Sequence, residues 1–333
     1  MEVLDLKKKI EEKIVDTEKV IIIPHLNADF DAIGSALGVS YIIKKLKKNS
    51  FILCADALND IDPGVKQIIE ETKQEYAFID KKKYETMASD KDLIIYVDVN
   101  KKFLTCGIEC NDKERTIIID HHEIGNGTIE TDNSYIDIGC SSASEIITNL
   151  LDQFKYKIPQ NLANYLYAGI YLDTAKLGKN CTHNTMRLCA KLLESGATID
   201  KVNLLFKEEF VSDRRVQDLI SKGTEFYNYT TAIVTGANDD EYTKIELAKV
   251  ADYLLRYGVD MSFAIGKVGN STVMSARSNG KIDIGIIASM LGGGGRIDAG
   301  AVNFNNDEMS PEDAEKKLIK TIKPNYIIDK NDK

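Results

Sequence analysis

Three short apolar runs in this chain each end in side chains able to hold a metal ion, and that recurrence limits the folds open to it. Val20-Ile-Ile-Ile23 leads into His25-Leu-Asn-Ala-Asp29-Phe-Asp31, Asp92-Leu-Ile-Ile-Tyr-Val97 ends at Asp98, and Arg115-Thr-Ile-Ile-Ile119 ends at Asp120-His121-His122. Short β-branched runs of this kind read as buried strands. Phe51–Cys54 reads as a further strand, and segments of helical spacing follow at 32–43 and 65–72. Strands alternating with helices predict an α/β fold with a doubly wound, mostly parallel sheet. Sheets of that kind gather their ligands at the carboxyl ends of the strands.

Helical spacing dominates the middle of the chain, at 142–154, 160–171 (running into Asp173-Thr174), 183–195, 199–206 and 211–227. Beyond it a smaller α/β domain is expected. Its strands are 230–235, a hairpin of 263–268 and 272–277 turned at Gly269-Asn270, and 301–304, with helices at 242–257, 283–291 and 311–322. The expected division is a catalytic domain over 1–205, a helical connector over 206–228 and a second domain over 229–333.

The charge of −9 on 333 residues disfavours a surface that grips long nucleic acid, but leaves room for a small, locally basic nucleotide pocket. Six cysteines without a paired framework point to reduced thiols and a cytoplasmic location. No apolar run approaches the ~20 residues that span a bilayer, so no membrane partner is expected.

His25, Asp29, Asp31, Asp98, Asp120, His121, His122 and Asp173 all fall at strand or helix ends, and they include three of the four histidines. An N-cap would explain Asp29 or Asp31 alone. Burying the whole set without cations would be very costly. Mixed imidazole and carboxylate ligands suit Mn²⁺, with Mg²⁺ or another divalent ion as alternatives, and paired ions suit displacement at phosphorus.

This pattern resembles the DHH phosphoesterase family, which takes its name from the triplet standing here at 120–122. Its first motif matches His25-x-Asn27-x-Asp29-x-Asp31, its second Asp98 and its fourth Asp173-Thr174. The resemblance implies two Mn²⁺, one held by His25, Asp29 and Asp98, the other by Asp31, Asp98, His121 and Asp173. It implies that Asp98 bridges them, that His122 lies against the scissile phosphate and that Asp120 orients the histidines. It is compatible with a homodimer.

Gly292–Gly295 would serve as a helix C-cap, although a cap needs one glycine. Consecutive glycines also let backbone N–H groups converge on an anion, and Arg277 and Arg296 flank the run. The run looks like that of the DHH-associated domain. With Met274–Gly280 and Cys140–Glu145 it is most similar to the catalytic module of GdpP-type cyclic di-AMP phosphodiesterases, here expected as a stand-alone form. Ser275, Arg277, Gly293, Gly294, Gly295 and Arg296 are thus the expected substrate contacts. Two positions depart from that family: Arg296 stands where it has histidine, and Asn180 where relatives carry arginine. The expected activity is metal-dependent hydrolysis of cyclic di-AMP or its linear dinucleotide product. A hydrolase of short RNA that also removes the 3′-phosphate of adenosine bisphosphate is the alternative, and an inactive nucleotide sensor the alternative of another class.

Overall fold

The structure is a computed structural model and describes residues 2–54, 61–108, 112–207, 210–304 and 309–323. Its contacts divide the chain into two units, Met1–Lys207 and Glu208–Lys333. In the first, β1 (Val20–Ile23) pairs in parallel with β2 (Ser50–Leu53) on one side and β4 (Leu93–Val97) on the other. With β3 (Ala77–Ile79), β5 (Thr116–Asp120) and β6 (Ser134–Ile136) the sheet runs β3-β2-β1-β4-β5-β6, every pairing parallel. Strand order reverses between β1 and β4, which opens a crevice outside their carboxyl ends.

Both faces of this sheet are covered, which is why its strands are apolar throughout rather than alternating. Val20, Ile22, Ile95, Val97, Ile117 and Ile119 face one core, formed with α1 (Val3–Lys13), α2 (Phe30–Lys45), α3 (Pro63–Thr72), α5 (Ala143–Gln153) and α6 (Gln160–Asp173). Ile21, Ile23, Ile94, Tyr96 and Ile118 face the other, closed by α4 (Lys81–Met87) together with Val99, Ile108 and Ile129. α7 (His183–Glu194) and α8 (Ile199–Leu205) complete the unit. The sequence reading did not anticipate β3, α4 or β6; these elements are three to seven residues long and too short to establish a period.

The second unit is a mixed sheet that runs from β11 (Gly294–Gly295) at one edge to β7 (Thr224–Tyr227) at the other, in the order β11-β12-β10-β9-β8-β7. β9 (Met261–Val268) and β10 (Ser271–Ser278) form the expected hairpin, and β10 also pairs antiparallel with β12 (Ala299–Phe304). β8 (Thr231–Thr235) runs parallel to β9. α9 (Phe210–Gly223) and α10 (Lys244–Leu255) cover one face, α11 (Ile284–Met290) and α12 (Pro311–Ile322) the other. The helix expected over 211–227 ends at Gly223. Residues Thr224–Tyr227 form β7, antiparallel to β8, with Phe226 packed in one core and Tyr227 in the other. The alternation of those two rings is a strand's, so this part of the expected connector belongs to the second sheet. Among the described residues, no helix is long and apolar enough to cross a membrane.

Candidate metal centre

Each expected ligand of the first unit sits in a loop at the carboxyl edge of a strand, or at a helix end packed against that edge. After β1, the His25 Nδ1–H donates to the Leu26 carbonyl (2.8 Å), which leaves Nε2 facing Asp29 Oδ2 at 3.7 Å and Asp98 Oδ2 at 3.5 Å. Asp29 does cap α2: its Oδ1 accepts from the N–H groups of Asp31 and Ala32, while Oδ2 is left for the cluster. The cap and the ligand are one residue using different oxygens.

Asp31 is fully buried, and its carboxylate reaches across to the amino terminus of α5. Oδ2 accepts from Ala143 N–H at 2.7 Å and Oδ1 from Ser144 N–H at 2.8 Å, where the helix dipole favours a negative charge. Asp98 follows β4 with φ at 57°, in the left-handed region, although its N–H still bonds to the Ile119 carbonyl of β5. Its two oxygens point to different histidines: Oδ2 to His25, and Oδ1 to His121 Nε2 at 3.3 Å. His121 Nε2 also lies 3.2 Å from Asp173 Oδ2 and 3.8 Å from Asp31 Oδ2.

Asp120 stands behind this cluster. Its Oδ1 accepts from the His121 N–H and from His122 Nδ1–H, both at 2.8 Å, which leaves His122 Nε2 for a ligand. Candidate ligand atoms therefore gather as His25, Asp29 and Asp98, and as Asp31, His121 and Asp173, while Asp98 also groups with Asp120, His121 and His122.

The electrostatics are those of a site built for cations. Burial and the carboxylates of Asp98 and Asp173 push the Asp31 pKa well above the usual carboxylate range, and burial pushes Asp98 up. Burial opposes charge on the histidines, but Asp29 and Asp98 outweigh it and lift His25 to about 10. Asp173, Asp98 and Asp31 likewise lift His121 to about 12. Among the described residues, no Lys or Arg forms an ion pair with these carboxylates. Asp98 Oδ1 and His121 Nε2, 3.3 Å apart, are both buried without a hydrogen-bond partner. Orphaned buried polar atoms are costly, and divalent ions between the two clusters would satisfy them. The donor set fits the group.

Two residues around the site went unread in the sequence. Buried Asn100 donates from Nδ2 to the His122 carbonyl and fixes the loop after β5. Buried Glu145 accepts from Ser141 N–H, Ser141 Oγ and Thr185 Oγ1 on Oε2, and from Asn184 Nδ2 on Oε1. It thereby ties the amino terminus of α5, which holds Asp31, to that of α7. The stretch Cys140–Glu145 was singled out by its resemblance, but the two partners of Glu145 that lie 39 and 40 residues along the chain leave no local signature.

In the second unit, Arg277 on β10 donates from Nε to Asp252 Oδ1 at 2.9 Å, and Arg296 lies 2.9 Å from Asp298 Oδ1. Ser275 is buried in β10 between Ala264 and Ala301. The glycine run caps α11, with Gly293 N–H on the Ala288 carbonyl, and then forms the short strand β11 (Gly294–Gly295) against β12. A Cβ on Gly293 would lie 2.1 Å from the Ala301 oxygen, and one on Gly295 2.3 Å from that of Ala299. Close backbone approach thus accounts for two glycines of the run, whereas Gly294 has open space around it.

Comparison with known proteins gives a consistent picture. The DHH family, N-terminal domain, matches residues 19–170, and the DHHA1 domain matches 227–324. The cyclic-di-AMP phosphodiesterase GdpP of Geobacillus thermodenitrificans is 28% identical over 94% of this chain and 48% of its own length. PdeA of Listeria monocytogenes, also a cyclic-di-AMP phosphodiesterase, is 28% identical over 95% of this chain and 49% of its own. The chain spans about half the length of these relatives. The bifunctional oligoribonuclease and PAP phosphatase NrnA of Mycoplasma genitalium is 26% identical over 91% of this chain and 94% of its own length. Among solved structures, an exopolyphosphatase-related protein from Bacteroides fragilis shares the fold, with a TM-score of 0.79 at 19% identity, covering 96% of this chain and 97% of its own.

Proposed function

This chain belongs to the DHH family and carries a DHHA1 domain, and from that premise we propose that it is a phosphodiesterase using two divalent ions, Mn²⁺ foremost, to hydrolyse cyclic di-AMP or its linear dinucleotide product. The observation that carries this reading is Asp98, a buried carboxylate whose two oxygens face two different histidine–carboxylate clusters. His25, Asp29 and Asp98 would hold one ion, and Asp31, Asp98, His121 and Asp173 the other. Such a pair supplies Lewis acidity and a nucleophile at neutral pH for in-line displacement at phosphorus.

The protein's own residues do the rest. Asp31 keeps its geometry through two backbone N–H groups, so each of its oxygens retains a lone pair for a ligand. Asp120 holds His122 by Nδ1–H and aims Nε2 at the scissile phosphate; in its doubly protonated form His122 would donate from Nε2 to a non-bridging oxygen and stabilise the charge that develops there. Ser275, Arg277, Gly293, Gly294, Gly295 and Arg296 remain the candidate substrate contacts of the second unit. Arg296, an exposed and permanent charge at the end of the glycine run, favours a second reading, a hydrolase of short RNA that also removes the 3′-phosphate of adenosine bisphosphate, because such substrates carry a terminal phosphate.

The test is product analysis by chromatography after incubating the Mn²⁺-loaded protein with cyclic di-AMP, pApA and pAp in parallel. Rapid loss of cyclic di-AMP supports the first reading, and turnover of pApA and pAp alone supports the second. Stoichiometric binding without product from any of them overturns both in favour of a nucleotide sensor.

A further inference from the structure

The loops that carry the metal ligands are laced to one another. Leu26 N–H bonds to the Leu104 carbonyl at 2.7 Å, Lys102 N–H to the Gly127 carbonyl at 2.9 Å, and Ile129 N–H to the Asn100 carbonyl at 2.8 Å. Lys101 and Thr128 form an antiparallel bridge, reinforced by Lys101 Nζ on Thr128 Oγ1 at 2.8 Å. The segments after β1, β4 and β5 therefore form one platform beside the metal ligands.

Each segment of that platform presents one large apolar side chain to solvent: Leu26 at 40% exposure, Phe103 at 72% and Ile124 at 69%. Phe103 is the best defined. Its Cδ1 and Cε1 lie 3.8 Å from where a Cβ of Gly127 would stand, so the ring rests against the loop that follows His122 while most of it faces water. Leaving an aromatic ring uncovered forgoes favourable burial, and a ring held on a loop that is hydrogen-bonded to the ligand loops is free to stack on a flat ligand.

We infer that Phe103 is a nucleobase-stacking subsite of the metal centre. This rests on the proposed reading of the site as one for nucleotide phosphoesters. The occupant follows from the platform's hydrogen-bonded continuity with the ligand loops. A phosphate at His25, Asp98 and His121 carries its base one ribose away, and a base needs a flat apolar face more than hydrogen-bonding groups. Stacking on a ring tolerates any base, so this subsite contributes affinity and orientation rather than choice of sequence.

The test uses the full chain with Mn²⁺ and two uncleavable probes: a linear adenine dinucleotide with a methylene in place of the bridging oxygen, and the same molecule without bases. Phe103→Ala is expected to weaken the base-bearing probe by about 5- to 100-fold, and Phe103→Trp to restore it. Neither change is expected to alter binding of the abasic probe or the bound metal measured by elemental analysis. Equal loss for both probes, or no loss for either, overturns the inference. So does a variant that loses only self-association in sedimentation while its nucleotide affinity holds. If the wild-type protein binds the base-bearing probe through Phe103 yet turns over no nucleotide, the hydrolase reading fails and the stacking subsite stands. Turnover that is indifferent to Phe103 fails the subsite alone, and a wild-type protein that binds neither probe overturns both.

Discussion

Asp98 shows what a single residue contributes to this site. Its left-handed backbone, a conformation that Asp and Asn tolerate better than most residues, turns the carboxylate so that each oxygen meets a different histidine. Asp98→Asn keeps shape and backbone preference but removes the charge that two cations would share. Activity should fall by more than the roughly 10–100-fold that loss of a partner behind a metal ligand costs. In differential scanning fluorimetry, the rise in Tm that Mn²⁺ gives the wild-type protein should vanish in the variant; an undiminished rise would remove Asp98 from the ligand set. The histidines make a second prediction. Without metal, His25 holds its proton up to about pH 10 and His121 up to about pH 12. A divalent ion must displace those protons, so binding should release protons, and apparent affinity should climb as the pH rises toward about 10. Calorimetry in buffers of different ionisation heat reads this directly, and heats independent of the buffer would contradict it.

At the scale of elements, the site depends on how closely α6 approaches α2 and α5. A Cβ on Gly169 of α6 would lie 2.3 Å from Ser144 Oγ and 2.7 Å from Asp31 Oδ1. Gly169→Ala should therefore push on the carboxylate that α5 holds, costing about 1–3 kcal/mol of stability and weakening metal uptake together. Gly294→Ala is the contrasting case. Nothing lies within 4 Å of its added methyl group, so the fold should keep its Tm. A rise in KM at constant Tm would then assign Gly294 to substrate; unchanged kinetics would leave the run to its role as helix cap and edge strand.

At the scale of the whole molecule, the two units have separate cores and separate chemistries: the first gathers histidines and acids, and the second presents arginines and a glycine run. In the full chain, Arg296→Ala should raise KM by about tenfold or more, as expected for loss of a charge-assisted bond to phosphate. Metal stoichiometry and the Mn²⁺-induced rise in Tm should stay at the wild-type level. A loss of bound metal would show that the arginine supports the metal centre instead.

Much of this was legible in the sequence because parallel strands advertise themselves twice, by continuous apolar runs and by what stands at their carboxyl ends. Val20–Ile23, Leu93–Val97 and Thr116–Asp120 were readable as strands, and the acids and imidazoles after them as one candidate centre. Short elements at the sheet edges were not: Ala77–Ile79 has only three residues, and Thr224–Tyr227 lacks the continuous apolar run that marks Val20–Ile23. Strand order was not legible either, and it is the order that sets β1 beside β4 and so brings His25 to Asp98. Which oxygen serves which partner was likewise beyond the sequence: Asp29 divides its two between a helix cap and a ligand position, and Asp31 spends part of both on the amino terminus of α5. Residue types and their periodicity determined which strand ends carry the acids and imidazoles, because a chain states its local preferences locally. Only the tertiary structure decided how the centre is wired, because hydrogen bonds across a hundred residues depend on packing that no local pattern encodes.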